Sequence, residues 1–209
     1  MRLPPDGHVH SEWSWDSPGG DLAGACARAV ELGLPAIVLT DHLDVTPSFH
    51  TASDFAPEQL PRLDIAADGT LTPPLLDARG YLAAVERCRE RFPDLRILTG
   101  AEVGEPHRDP RRIAAVLAAG RFDRVLGSLH ALPFEGRFME PLELYRRLPA
   151  AEVMRRYLAE LLEVIAGSNA FHVLTHIDYA VRAWPEAEGP FEPEAFEGCL
   201  LYTSDAADE

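Results

Sequence analysis

The chain has 209 residues, 46% of them hydrophobic and 25% charged, which is the size and composition of one globular domain with a substantial core. Its 34 acidic against 19 basic side chains give a formal net charge of -15, which argues against a binding surface for nucleic acid or anionic lipid. Three cysteines without CxxC spacing argue against a disulfide framework or a thiolate zinc site, and no apolar run has the length to span a bilayer.

Strand-like runs alternate with longer helix-like stretches, a pattern typical of β-α units around a parallel sheet. A first strand ends near Val9, and a helix follows from about Asp21 to Leu32, with Gly33 as its C-terminal signal. Residues 36–39 then form a buried strand. Residues 45–74 are rich in Pro, Ser, Thr and Asp, so we expect a long irregular insertion over one end of the fold.

The second half of the chain continues the alternation. Asp77 is expected to cap a helix that ends near Arg91. The remaining predicted elements are a strand at 95–99 closed by Gly100, a helix at 110–119 with proline in its first turn, a strand at 122–126, an amphipathic helix at 152–165 and a strand at 171–175. The sequence therefore predicts an α/β fold.

Polar residues that can bind metal follow each proposed strand. They are His8, His10, Asp41, His42, Glu102, His130, His176 and Asp178. Because the carboxyl ends of parallel strands converge on one rim, we expect these side chains to meet. Imidazole and carboxylate are ligands of zinc, manganese and iron, and His8 and His10 point to the same side of an extended chain. The pattern predicts a polynuclear metal site.

The alternative reading of any single histidine is a hydrogen-bonding residue rather than a ligand. Five histidines at strand ends together favour metal ligands over isolated hydrogen-bonding residues. The other three histidines fall outside this pattern. We interpret His50 as a loop residue, His172 as part of a strand and His107 as a residue behind the ligands. Two carboxylates also have alternatives. Asp16 is either a ligand, a turn residue or a cap for the next helix, and Glu105 is a rival of Glu102 for the position that bridges two ions.

Five short motifs carry this pattern in a fixed order over residues 6–178. They are Asp6-Gly-His-Val-His-Ser11, Leu39-Thr-Asp-His42, Gly100-Ala-Glu102, Gly127-Ser-Leu-His130 and Thr175-His-Ile-Asp178. The set resembles the polymerase and histidinol phosphatase superfamily, the PHP family, and most closely its histidinol-phosphatase-like members. The resemblance implies a distorted (β/α)7 barrel with up to three metal ions at the carboxyl ends of the strands.

The same resemblance implies the cofactors and the reaction. It implies two or three divalent ions of zinc, manganese or iron. The first would be held by His8, His10 and Glu102, and the second by Glu102, His130 and His176. Asp16 and His42 would hold the third. The implied reaction is phosphate monoester hydrolysis by a metal-bound hydroxide, without a further catalytic side chain. Asp41, His107 and Asp178 would support the ligands. Arg182 is either a substrate-phosphate ligand or a surface arginine.

The sequence departs from the family in its last part. Members carry a late Asp-x-His element that completes the first and third ion sites, and none follows Asp178. The ending at 199–209 resembles the translation of a transposase-type sequencing adapter. We therefore expect residues 1–198 to be a partial PHP domain, incomplete at its C-terminal end, with 199–209 as a non-native tail. Only the ion at Glu102, His130 and His176 would keep all its protein ligands.

The leading functional prediction is a cytoplasmic phosphatase of a small phosphorylated metabolite, with histidinol phosphate, and hence histidine biosynthesis, as the first hypothesis. Two alternatives stay open at this point. One is a PHP module or fragment that binds metal but is inactive. The other is a phosphoesterase for nucleotides or oligonucleotides, which the acidic charge disfavours. No nucleic-acid or membrane partner is expected, and the oligomeric state is left open.

Overall fold

The computed structural model describes residues 3–51, 54–57 and 59–199, so the predicted tail lies outside the described residues except for Cys199. In this part of the chain the strands are Asp6–Val9 (β1), Ala36–Asp44 (β2), Ser48–Phe49 (β3), Asp64–Ile65 (β4), Thr70–Thr72 (β5), Arg96–Gly104 (β6), Arg124–Ser128 (β7), Leu132–Phe134 (β8), Arg137–Met139 (β9) and Val173–Leu174 (β10). The α-helices are Leu22–Leu32 (α1), Ala78–Arg91 (α2), Pro110–Leu117 (α3), Pro141–Tyr145 (α4) and Ala150–Gly167 (α5).

The main sheet has five parallel strands in the order β1-β2-β6-β7-β10. Helices α1, α2, α3 and α5 lie between successive strands of this sheet in the chain, which confirms the predicted α/β class. The sheet is curled, because the Nδ1 of His8 on edge strand β1 lies 3.1 Å from the Oγ1 of Thr175, just after the other edge strand. The carboxyl ends of all five strands therefore surround one space.

The helix starts follow the predicted capping chemistry. Asp21 accepts a hydrogen bond from Gly24 N at the start of α1, and Asp77 does the same from Gly80 N at the start of α2. Gly33 ends α1 with φ 67°, and its N–H bonds to the carbonyl groups at the end of that helix. These local signals are strong because each one satisfies a backbone group that the helix leaves without a partner.

Two strands are longer than predicted. β2 continues past residue 39 to Asp44, and β6 continues past residue 99 to Gly104, with nine register pairs between them. Gly100 therefore lies inside β6 rather than at its end. A Cβ at that position would lie 2.8 Å from the carbonyl oxygens of Leu39 and Arg124, so glycine lets the chains approach closely. The predicted strand ends were wrong because the backbone ladder continues through polar residues.

The prediction of an irregular insertion at 45–74 was also wrong in part. This segment contributes β3, β4 and β5 to a second five-stranded sheet, in the order β4-β5-β3-β9-β8. β3 pairs antiparallel with β5 and parallel with β9. The pairing partner lies about 90 residues downstream, at β9, so local composition did not indicate a sheet. Thr46, His50 and Phe55 of this segment line the cavity at the carboxyl ends of the main sheet, so the segment covers that end of the fold, as expected.

Two hydrophobic clusters hold these layers together. The first packs α1 and α2 on the main sheet and includes Leu22, Tyr81 and Val85. The second surrounds α5 and includes Tyr157 and Leu161, with contributions from β8 and β9. Of the helices described, α5 is the longest at 18 residues, and none combines the length and hydropathy needed to cross a membrane.

Candidate metal centre

Glu102 lies on β6 at the centre of the histidines and is only 1% exposed. Its Oε2 is 3.0 Å from the Nε2 of His8 and 3.2 Å from that of His10. Its Oε1 is 3.2 Å from the Nε2 of His130 and 2.5 Å from that of His176. Each carboxylate oxygen thus faces its own pair of imidazoles, which is the arrangement that a carboxylate bridging two cations needs.

The topology explains this convergence. His8, His42 and Glu102 lie on β1, β2 and β6, whereas His130 and His176 follow β7 and β10. His42 and Glu102 are direct register partners on neighbouring strands. Every strand of the parallel sheet therefore contributes to the cluster, as expected from the meeting of carboxyl ends.

Asp16 and His42 also lie together, at the exposed side of the cluster. The Nε2 of His42 is 3.4 Å from the Oδ2 of Asp16, and its ring stacks on that of His10 with centroids 4.4 Å apart. The Nδ1 of His42 is 3.3 Å from Asp44 and 3.7 Å from Glu102. All seven predicted ligands thus line one cavity.

Asp44 is a buried carboxylate that the sequence analysis missed. It is 6% exposed and lies between His42 and His130, with its Oδ1 3.6 Å from the Nδ1 of His130. The spacing His42-Leu-Asp44 repeats the alternation of His8 and His10, which places both side chains on the same side of a strand. This signal was hidden because the predicted strand ended at residue 39.

The cluster fits divalent cations by its own chemistry. Imidazole and carboxylate ligand atoms lie within 4.8 Å of one another in three groups: His8, Glu102 and His176; His10, His42 and Glu102; and His42, Asp44 and His130. Buried polar atoms without a hydrogen-bond partner among the described residues include the Nδ1 of His42 and the Oδ1 of Asp44. Such atoms are costly to bury unless a cation or proton satisfies them. The predicted assignment of ligands to individual ions stays a prediction.

Without metal, nearby carboxylates favour the protonated imidazoles of His42 and His130. Burial by itself would raise the pKa of Glu102, but hydrogen bonds from the surrounding histidines hold it far below its ordinary value. Burial opposes the charged form of His130, yet Asp44 and Glu102 raise the pKa of its imidazole to about 10. The pKa of His42 is also raised, against burial, by Asp44 and Asp16. Metal ions must displace these protons, so binding depends on pH.

Asp41 lies behind the predicted ligand His10 and contacts it through Ser14, while its supporting role stays a prediction. It is fully buried; its Oδ1 accepts hydrogen bonds from Ser11 N at 2.6 Å and Ser14 Oγ at 2.8 Å, and its Oδ2 accepts one from Ser11 Oγ at 2.8 Å. Because Ser14 Oγ donates to Asp41, it accepts from the Nδ1 of His10, 3.1 Å away. The Nε2 of His10 is then left free to face Glu102.

Glu105 does not compete with Glu102 for the bridging position. It is 2% exposed and has a left-handed φ of 46°. Its Oε1 accepts hydrogen bonds from the backbone N–H groups of His130 at 2.7 Å and Ala131 at 2.9 Å. Glu105 therefore fixes the segment that carries His130 and leaves the centre of the cluster to Glu102.

The other predicted supporting residues lie further away. The Nε2 of His107 is 3.2 Å from Glu160 on α5. Arg108 donates to the same Glu160 and to the carbonyl oxygen of Ala131, the neighbour of His130. Asp178 is exposed, and within the described part of the chain it makes no hydrogen bond to a predicted ligand. His172 lies just before β10 rather than in it, and its Nδ1 accepts a hydrogen bond from Val125 N.

The cavity above the cluster has a volume of about 830 Å³. Its far wall includes residues that the sequence analysis did not assign to the site: Trp15, His50, Phe55, Glu140 and Arg146. His50 is buried, and its Nε2 is 2.9 Å from Ser48 Oγ, so it is a cavity residue rather than a simple loop residue. Only the pairing of β3 in the second sheet brings it there.

Glu140 and Arg182 line the same cavity and carry side chains of opposite charge. Glu140 Oε1 is 4.0 Å from the Nε2 of His50, and its Oε2 accepts from the Tyr179 hydroxyl at 3.5 Å. Burial raises the pKa of Glu140. Arg182 lines the cavity with its guanidinium carbon 5.3 Å from the centre of the Tyr179 ring. An anion and a cation can therefore both be recognised here.

Comparison with known proteins agrees with this architecture. A histidinol phosphate phosphatase from Lactococcus lactis subsp. lactis Il1403, complexed with zinc, L-histidinol and phosphate, has a TM-score of 0.75 and 22% identity over 97% of this chain and 68% of its own. A provisionally assigned histidinol phosphatase from Listeria monocytogenes has a TM-score of 0.68 and 18% identity over 98% of this chain and 78% of its own. These likenesses confirm the predicted PHP-type α/β fold.

The sequence comparisons are of two kinds. No curated protein sequence matches the chain. The model of the PHP domain matches residues 6–204, which includes all five motifs and every predicted ligand. The chain therefore belongs to the PHP domain family.

Proposed function

We propose that this protein is a metal-dependent phosphatase that hydrolyses the phosphate monoester of a small metabolite, with histidinol phosphate as its first substrate. The observation that carries the proposal is Glu102, whose two oxygens each face a pair of imidazoles at the base of the cavity. No serine or cysteine nucleophile is needed for such chemistry, because phosphoryl transfer to water depends on positioning and charge neutralisation.

The ligand set supports two ions that share Glu102. His8 and His10 would hold one, His130 and His176 the other, and Asp16 with His42 would hold a third. Bound divalent ions supply Lewis acidity toward the phosphoryl oxygens and lower the pKa of water. Zinc is supported by the zinc in the Lactococcus lactis complex, while manganese and iron suit the same imidazole and carboxylate donors.

The basic residues of the cavity support an anionic substrate. Arg182 and Arg146 both line it, and a guanidinium group pairs with phosphate oxygens by parallel hydrogen bonds. The Nη1 of Arg146 donates to Glu143 at 2.6 Å, whereas Arg182 is stacked on Tyr179. We propose that Arg182 binds the substrate phosphate, because its stacking leaves the guanidinium edge available for hydrogen bonds.

The acidic wall supports a substrate with a positive charge at its other end. Among the described residues, the ion-pair partner within reach of Glu140 is the Nε2 of His50, at 4.0 Å, and burial lowers the pKa of that imidazole, which favours its neutral form. The rings of Trp15 and Phe55 lie close to His50. An ammonium group would offset the charge of this partly buried carboxylate and lie against aromatic rings. Histidinol phosphate carries such a group, and the Lactococcus lactis protein was crystallised with L-histidinol and phosphate.

The test is phosphate release by the purified protein after chelation and after reconstitution with zinc, manganese or iron. The substrates are histidinol phosphate, p-nitrophenyl phosphate and a nucleoside monophosphate. We expect metal-dependent release with histidinol phosphate preferred, and release at the background rate from Glu102→Gln. Glu90→Gln, an exposed carboxylate on α2, serves as the matched control.

The other outcomes separate the alternatives. Bound ions without turnover of any ester would favour an inactive PHP module. Release from nucleotides or oligonucleotide ends alone would favour the nucleotide phosphoesterase. Hydrolysis of another small ester in preference to histidinol phosphate would overturn the substrate while leaving the chemistry in place.

A further inference from the structure

Asp44 lies between two of the predicted metal-binding imidazoles. Its Oδ2 is 3.3 Å from the Nδ1 of His42, and its Oδ1 is 3.6 Å from the Nδ1 of His130. Each oxygen of this one carboxylate thus faces a different ring, and both rings present the same nitrogen to it. The arrangement repeats that of Glu102, but on the opposite nitrogens and behind the cluster.

The outer nitrogens of the two rings point toward other carboxylates. The Nε2 of His130 is 3.2 Å from Glu102, and the Nε2 of His42 is 3.4 Å from Asp16. A neutral imidazole has one N–H and one free lone pair. If Nε2 carries the lone pair toward a cation, Nδ1 carries the proton and needs an acceptor. Among the described residues, Asp44 is the carboxylate in reach of both Nδ1 atoms.

We propose that Asp44 is a positioning residue that accepts the Nδ1–H of both His42 and His130 and so directs both Nε2 atoms at the metal ions. Within the described part of the chain, the His42 Nδ1 and the Asp44 Oδ1 are buried without a hydrogen bond. The separations of 3.3 Å and 3.6 Å are less than about 0.5 Å beyond the usual hydrogen-bond range. Such carboxylate-imidazole-metal relays fix the tautomer and orientation of a ligand. Here one carboxylate serves two ligands that belong to different predicted ions.

Two neighbours of Asp44 support this role. Trp15 Nε1 donates a hydrogen bond of 2.7 Å to its Oδ2, which fixes the plane of the carboxylate. Gly104 is the register partner of Asp44 on β6. A Cβ at Gly104 would lie 2.2 Å from the Asp44 Oδ1 and 3.3 Å from the His130 Nδ1. The glycine thus provides the space in which the carboxylate meets the second ring.

The competing reading is that Asp44 is itself a ligand, because His42, Asp44 and His130 also form a compact group. That reading requires His42 and His130 to bind through Nδ1. If both rings also bound the predicted ions through Nε2, each ring would hold one cation on each nitrogen. Each would then have lost both N–H protons and become an imidazolate anion. A shared acceptor requires only neutral rings, so the geometry favours positioning over direct ligation.

The inference rests on the proposed metal centre but not on the substrate, and its test measures ions and protons rather than turnover. In the zinc-loaded wild-type protein, ¹⁵N chemical shifts of the histidine rings report which nitrogen carries the proton. We expect His42 and His130 both as the Nδ1–H tautomer. Zinc bound to Nδ1 of either ring would overturn the inference, and this measurement requires no variant.

Variants give the second readout. Asp44→Asn and Gly104→Ala should each keep the wild-type number of bound ions. Zinc affinity, measured by competition with a chromophoric chelator, should fall about 10- to 100-fold both at the ion site that includes His42 and at the one that includes His130. Loss of one whole ion from Asp44→Asn would identify Asp44 as a ligand, and an unchanged affinity would show that it does not position the rings. Either result overturns the inference.

The matched control is Asp123→Asn, which alters a carboxylate at the opposite end of the strands. Asp123 Oδ2 accepts hydrogen bonds from Thr99 and Arg89, so its loss should lower stability without changing zinc affinity. If the wild-type protein binds no ion, the inference fails together with metal dependence. If it binds ions but releases no phosphate, only the proposed activity fails, because the tautomers and affinities are still measured.

Discussion

His8 and Thr175 lie 167 positions apart in the sequence, yet the Nδ1 of His8 and the hydroxyl of Thr175 are 3.1 Å apart. This contact joins the two edge strands of the main sheet at their carboxyl ends. It also brings the ring of His176 to 5.7 Å from that of His8, nearly parallel to it. The curl of the sheet is thus directly linked to the orientation of two predicted ligands.

Replacing Thr175 by valine should weaken metal binding. If the Nε2 of His8 faces a cation, its Nδ1 carries the proton and the Thr175 hydroxyl, 3.1 Å away, accepts it. Valine keeps the shape of the side chain but removes this acceptor, so His8 would lose its fixed tautomer and orientation. We expect zinc affinity to fall about 10-fold, measured by chelator competition. Thr175→Ser retains the hydroxyl and should bind zinc like the wild type. Equal losses from both variants would contradict this role of the hydrogen bond.

Glu105→Ala should destabilise the protein through the segment that carries His130. The substitution leaves the buried N–H groups of His130 and Ala131 without their acceptor, which costs about 2–4 kcal/mol in the free energy of unfolding. Glu135 also has a positive φ, 49°, but it is exposed. Glu135→Ala is therefore the control for backbone conformation, and an equal loss from it in urea unfolding would refute the explanation.

The stability of the metal-free protein should fall at alkaline pH. His130 has its pKa raised from 6.5 to about 10 by Asp44 and Glu102, against the effect of burial. Its contribution is fully present below pH 6.5 and is lost as the pH rises toward about 10. We expect the Tm of the chelated protein to decrease across this range.

The same measurement with bound zinc provides the contrast. Once a cation replaces the protons of the imidazoles, this alkaline loss should be much smaller, because deprotonated His130 is then a ligand. Zinc binding at pH 7 should also release protons, measurable in buffers of different ionisation enthalpy. A Tm of the chelated protein that stays constant over this pH range would contradict the ion pairing described for His130.

Glu140→Gln tests recognition of the cationic end of the substrate. The variant loses the negative charge of the cavity wall but keeps the size of the side chain. We expect kcat/KM to fall about 10-fold or more for histidinol phosphate, mainly through KM. The neutral-tailed ester p-nitrophenyl phosphate should be hydrolysed at the wild-type rate. A similar decrease for both esters would assign Glu140 a structural role instead.

Much of the fold was readable from local sequence. The caps at Asp21 and Asp77 and the glycine after α1 mark helix ends, because they satisfy backbone groups within a few residues. β7 and β10 overlap the strands predicted at 122–126 and 171–175. The full lengths of β2 and β6 were not readable, because polar residues and glycines interrupt the apolar runs of both strands: Asp41, His42 and Asp44 in β2, and Gly100, Glu102 and Gly104 in β6.

The site was predictable to the same extent. The convergence of the strand-end histidines on Glu102 could be predicted because parallel strands place their carboxyl ends together, while their role as metal ligands stays a prediction. Asp44 and the cavity wall with His50 and Glu140 could not. Their positions depend on the continuation of β2, on the second sheet and on the segment before α4. The cytoplasmic location stays a prediction from the sequence.

The sequence by itself determined the α/β class, the order of the motifs and the kind of donor atoms available, since these follow from residue type and local periodicity. Tertiary structure alone decided which nitrogen of each imidazole faces which carboxylate. Those contacts join β1 to β10 and β2 to the segment after β7. Their distances are set by strand register and sheet curl, which arise from packing between residues far apart in the chain.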